Sequence, residues 1–83
     1  MKITSLRTDL EQYIVVHNLQ KKWNKVIRLF EENMRHPSLH TELLEPRWRG
    51  IYSFRLDYKY RALFFITKHG EAEVFQITNH YKK

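Results

Sequence analysis

Apolar residues change their spacing midway along the chain. In the first half they recur at helical intervals. Leu10, Tyr13 and Ile14, followed by His17, mark a first helix for which Thr8 or Asp9 is a plausible N-cap. Asn18 breaks the pattern. Leu19, Trp23, Val26, Ile27, Phe30 and Met34 then form one continuous stripe, opposite Lys21, Lys22, Lys25, Arg28 and Glu32. This second helix is expected to stop near Arg35, because Pro37 disfavours helical geometry at His36. His17 reads as a residue at a helix C-terminus, and residues 2–5 as a possible edge strand.

In the second half the period drops to two. Residues 51–56 alternate, with Tyr52, Phe54 and Leu56 on one face and Ser53 and Arg55 on the other. Residues 60–67 and 72–79 are two further runs rich in aromatic and β-branched side chains. Short connections through Asp57, Tyr58 and Lys59 and through Gly70 make them antiparallel hairpins. The pattern predicts an α+β fold in which an N-terminal helical hairpin packs on one face of an antiparallel sheet of three to four strands. At 83 residues there is room for one core, so residues 1–83 form a single domain.

Pairing fixes what the open face of that sheet carries. A hairpin centred on Tyr58 puts Arg55 directly opposite Arg61. Like charges so placed repel, which suggests an anion shared by two guanidinium forks; the alternative is two solvated arginines splayed apart. A second hairpin centred between His69 and Gly70 keeps Phe75 and Ile77 in the core with Ala62 and Phe64. It leaves Gln76, Thr78 and His80 on the arginine face, with Ser53. Beside two arginines an imidazole loses its proton more easily, and a bound phosphate reverses this, which suits proton transfer near neutral pH.

Composition narrows the chemistry. The absence of cysteine removes disulfides, thiolate metal sites and thiol nucleophiles, and fits a reducing compartment. The longest apolar run, residues 62–66, is far short of a membrane span, and the first twenty residues lack a signal-peptide pattern. A soluble, cytoplasmic protein is expected. Fifteen Lys and Arg against nine Asp and Glu leave a net charge of +6, which favours a polyanionic partner. Trp48 between Arg47 and Arg49 could stack on a base with flanking phosphate contacts, or close the edge of the core. Lys82 and Lys83 form a basic tail suited to RNA or to solubility. His36 and His40 are read as loop residues, so no metal and no cofactor is expected. Phosphate-binding glycine loops and zinc-protease motifs are absent.

Taken in order, His36-Pro37-Ser38-Leu39, the stretch Gly50-Ile51-Tyr52-Ser53-Phe54-Arg55-Leu56, the pair Tyr60-Arg61 and the closing Asn79-His80-Tyr81 resemble the RelE/ParE toxin superfamily. These are small basic toxins of type II toxin–antitoxin pairs. The His-Tyr ending is most similar to the YoeB branch of mRNA interferases, which cut messenger RNA on the ribosome. That resemblance implies a catalytic Glu eight residues before Gly50, which is Glu42, and an essential Arg eleven after it, which is Arg61. It also implies His80 and Tyr81 as the C-terminal pair. Glu42 would be the base for the 2′-OH, Arg61 the clamp on the phosphorane with Arg55 in support, His80 the acid, and Tyr81 an orienting or stacking group. An acidic antitoxin, the ribosome and mRNA would be the partners, and Leu63 and Phe65 part of what the antitoxin covers. A ParE-like gyrase poison and a non-catalytic nucleic-acid-binding module are the alternatives. Two features depart from the family: Ser53 stands where many relatives carry a basic residue, and two lysines follow Tyr81.

Overall fold

The computed structural model describes residues 1–79. Helix α1 spans Thr8–Val16 and buries Leu10 and Ile14. Neither expected cap is used as such. The residue at the cap position is Arg7, which makes no side-chain cap bond. The Asp9 carboxylate instead accepts from the Arg7 guanidinium at 3.0 and 3.1 Å. Asn18 turns the chain with φ of 57°, a conformation that asparagine tolerates better than most residues. Helix α2 spans Gln20–Glu32 and buries Trp23, Val26 and Phe30, with Leu19 buried just before it. It ends three residues before Arg35, because Asn33 already leaves the helix in an extended conformation. Met34 still packs against the core, as a loop residue.

A 3-10 turn at Pro37–Leu39 follows, in which the Ser38 N–H donates to His36 Nδ1 at 3.1 Å and Leu39 is fully buried. The sheet has four strands: β1 Glu42–Leu43, β2 Ile51–Arg55, β3 Arg61–Ile66 and β4 Ala72–Thr78. They lie in the order β1-β2-β3-β4, each antiparallel to its neighbour. Residues 2–5 do not form a full strand. They make one parallel bridge, Ile3 to Ala72, in which Thr4 N–H donates to Ala72 O at 2.9 Å and Ala72 N–H to Lys2 O at 2.8 Å.

The β2–β3 register pairs Arg55 with Arg61, as the sequence predicts. Between β3 and β4 the prediction holds at Ala62–Ile77 and Arg61–Thr78, then fails. The register shifts between Leu63 and Phe64, so that Phe64 pairs with Val74. Val74 takes the core position expected for Phe75. The Phe75 ring lies instead 6.0 Å from that of Phe65, which is exposed.

Both helices cover the face of the sheet bearing Phe54, Leu56, Ala62, Phe64, Val74 and Ile77. At its centre Phe30 meets Phe54 and Phe64, each with ring centroids 5.2 Å away, the Phe64 contact being edge-to-face. Trp23 stacks on Phe54 from the other side at 6.0 Å. Such contacts add about 0.5–1.5 kcal/mol per pair beyond the area they bury. The helical layer therefore clamps the middle of β2 and β3, and the ends of those strands are left to carry polar chemistry.

Candidate functional site

Three strands bring charge to one end of the open face. Glu42 on β1 lies opposite Ser53 on β2, and Arg55 at the end of β2 lies opposite Arg61 at the start of β3. Residues paired across strands, and residues two apart along one, share a face. Glu42, Ser53, Arg55 and Arg61 therefore all point away from the helices. Glu42, which periodicity could not place, belongs to a two-residue edge strand. Its approach is tied down by the Thr41 hydroxyl, which donates to the carbonyl of Met34 at the end of the helical layer.

Arg61 is not a solvated arginine. It is 8% exposed, over a fully buried Ser53. Its Nε and Nη2 both donate to Ser53 Oγ, at 3.1 and 2.8 Å, and Nη2 also donates to the His40 carbonyl at 2.8 Å. His40 adopts φ of 47°, left-handed, and this geometry accompanies the carbonyl's contact with the guanidinium. Glu42 Oε1 stands 3.7 Å from the same Nη2. The guanidinium is thus oriented by groups from the 40–42 loop and β2. Ser53 has the size to sit beneath it, and a basic side chain there would compete for the space and repel the charge.

A cleft of about 460 Å³ opens above these groups, lined by His40, Thr41, Glu42, Arg55, Tyr58, Lys59 and Arg61. Three permanent cations against one carboxylate make it a site for an anion. The rim formed by Tyr58 and Lys59 is fixed by Asp57. One carboxylate oxygen accepts the Lys59 and Tyr60 N–H groups at 2.8 Å each, and the other pairs with Lys22 of α2. Burial alone would raise the Asp57 carboxyl, but the Lys22 ammonium and the two N–H donors outweigh it and hold it below its usual 3.8. That contribution to stability is complete above the usual value and disappears as pH falls through the lowered one. Asp57→Ala is expected to cost about 1–3 kcal/mol at neutral pH. The gap to wild type should narrow in acid denaturation series, and a gap independent of pH would refute the assignment.

Other predicted residues lie elsewhere. Arg47, Trp48 and Arg49 form a 3-10 turn between β1 and β2, at the opposite end of β2 from Arg55, roughly 13 Å along the strand. They do not line the cleft. Trp48 is 85% exposed, so it does not close the core. Arg47 is beside Glu45 at 3.8 Å, both exposed. His17 ends α1, as predicted, with Nδ1 2.9 Å from the Tyr13 carbonyl and its ring stacked on Tyr13. His80, Tyr81, Lys82 and Lys83 lie outside the described residues. Among the described residues no group of three His, Asp or Glu side chains could hold a metal, and no helix is long and apolar enough to cross a membrane. Sequence reasoning missed the support given by Ser53 and His40, and the place of Tyr58 and Lys59 on the cleft; the Asp57 turn, visible in the sequence, was the available signal for the latter.

No protein-family model matches the chain, and no curated protein does. Solved structures do. A YoeB/ParE toxin from Agrobacterium tumefaciens superposes with a TM-score of 0.71 at 23% identity, covering 98% of this chain and 100% of that one. The YoeB dimer from Staphylococcus aureus gives 0.68 at 17% identity, over 96% of this chain and 94% of that one.

Proposed function

We propose that this chain, which has the fold of the YoeB/ParE toxins, is the toxin of a type II toxin–antitoxin pair and acts as a metal-independent, ribosome-dependent mRNA endoribonuclease. The observation that carries the reading is the meeting of Glu42, Arg55 and a buried, oriented Arg61 in one cationic cleft. Cleavage without a metal needs a base, a cation and an acid in one place. Glu42 takes the proton of the 2′-OH, whose oxygen attacks phosphorus. Charge that builds on the phosphorane oxygens is met by Arg61, with Arg55 opposite it. The bond to the 5′-oxygen breaks, and His80 gives that oxygen its proton, leaving a 2′,3′-cyclic phosphate and a 5′-hydroxyl. Tyr81 orients or stacks at the same end of the chain. A donor already in position stabilises charge at the moment of reaction without reorganising, which makes the fixed guanidinium the largest single contributor.

Net charge of +6 suits both the ribosome and an acidic antitoxin. Arg47, Trp48 and Arg49 would contact RNA away from the cleft, and Lys82 and Lys83 would add charge for the same polymer. Leu63, half-buried, and Phe65, with Phe75 beside it, offer apolar surface on the same open face for the antitoxin to cover.

Primer extension on an mRNA programmed into 70S ribosomes tests the reading. Cuts at A-site codons are expected with ribosomes and not on RNA alone, and His80→Ala should abolish them. Intact mRNA in the presence of wild-type protein would overturn the nuclease reading, and DNA breaks in a gyrase-cleavage assay would then identify a poison.

A further inference from the structure

Tyr58 is the exposed aromatic side chain on the cleft. It is 91% exposed, at the tip of the β2–β3 hairpin, and lines the same cleft as Arg55, Lys59 and Arg61. An aromatic ring left in water on a hairpin tip would ordinarily be a mobile bystander. Here the tip is not loose. The Asp57 carboxylate accepts the N–H groups of Lys59 and Tyr60 and pairs with Lys22, while Leu56 N–H donates to Tyr60 O at 2.9 Å. The backbone on both sides of Tyr58 is therefore bound to the rest of the fold, and little backbone freedom remains to be lost when a ligand arrives.

The neighbours say which ligand. The cleft is cationic through Arg55, Lys59 and Arg61 and opens beside a flat, solvent-facing ring. A polyanion whose charged groups alternate with flat aromatic ones meets both features at once, and single-stranded RNA is such a polymer. We infer that Tyr58 is a nucleobase subsite, stacking on a base adjacent to the phosphate held by Arg55 and Arg61. The inference rests on the nuclease reading for the identity of the polymer and adds a residue to it. Stacking uses the face of the ring, so the phenolic hydroxyl is dispensable and the subsite accepts any base, with modest preference set by stacking strength. Trp48, also largely exposed, lacks this placement, because it lies at the other end of β2 and off the cleft.

The test is fluorescence anisotropy of the full chain with a short, labelled 2′-O-methyl oligoribonucleotide, which cannot be cleaved. Tyr58→Phe should bind as wild type does, and Tyr58→Ala about tenfold more weakly. Moving a single abasic site along the oligonucleotide should find one position at which wild type loses the same factor and Tyr58→Ala loses nothing further. A general structural role for Tyr58 would not produce that coincidence. Equal binding by wild type and Tyr58→Ala overturns the subsite while leaving the nuclease reading intact, and points to an acidic peptide as the ring's partner. Failure of wild type itself to bind the oligonucleotide at low salt also overturns the subsite, whereas the nuclease reading, which is ribosome-dependent, stands or falls on primer extension with programmed ribosomes.

Discussion

Arg61→Ala is expected to lower mRNA cleavage on programmed ribosomes by about two to three orders of magnitude, the usual loss when one fixed donor to a developing oxyanion is removed. The expectation follows from how the side chain is held. Nε and Nη2 are committed to Ser53 Oγ and the His40 carbonyl, so the guanidinium's plane is fixed before any substrate arrives. Arg61→Lys keeps the charge but loses the planar fork, and should recover only a small part of the rate. The substitution also has a structural cost. It strips a buried hydroxyl and a carbonyl of their donor, worth about 1–3 kcal/mol if they stay unsatisfied. Rates must therefore be compared at a temperature where circular dichroism shows both proteins folded. A folded Arg61→Ala protein that cleaves at the wild-type rate would remove Arg61 from the mechanism.

Phe30→Ala should be the most damaging single change to the fold. Phe30 is fully buried and touches both Phe54 and Phe64, so its loss opens a cavity between the helical layer and the two strands that end at the cleft. Truncations of this kind cost about 3–5 kcal/mol. At the usual stability per residue, a chain of 83 residues has roughly 4–12 kcal/mol in total. The variant should therefore lose at least about a quarter of its total stability. Urea denaturation followed by tryptophan emission will report it directly, since the buried Trp23 stacks on Phe54. Phe65→Ala, on the exposed face, is the matched control. Equal loss from the two would mean that the aromatic cluster is not the centre of the core.

Much of this arrangement was legible in the alternation of residues. The stripe from Leu19 to Phe30 specified a helix with one buried face, and the hairpin centred on Tyr58 fixed the register that opposes Arg55 to Arg61. What escaped was set by contacts distant in sequence or by elements too short to carry a period. β1 has two residues, fewer than alternation needs to be recognised. The end of α2 at Glu32 left no mark because Met34, the next residue of the stripe, is apolar and packs on the core without being helical. An inserted residue in β4 is equally silent, since Phe75 is as apolar as the Val74 that displaced it. Ser53 looked like a neutral departure from a basic position, yet its hydroxyl is the principal support of the central cation. That role depends on a pairing eight residues away and on a carbonyl from a separate loop. The role assigned to Tyr81 rests on the resemblance alone, and that of His80 on the resemblance together with the strand register read from the sequence.

The irregularity in β4 also decides what reaches the cleft. Val74 and Ile77 both face the helices although they are three positions apart, an odd interval that an unbroken strand cannot provide. The extra residue inverts the parity of everything after it. Counting straight on from Val74 would send Thr78 inward and Ile77 out to solvent; with the insertion, Thr78 lies across from Arg61 on the open side. One residue of slack thus lets a single strand serve two incompatible frames, the first half matched to the core and the second to the polar end of the sheet. Losing that residue would leave the strand intact and its last positions facing the wrong way.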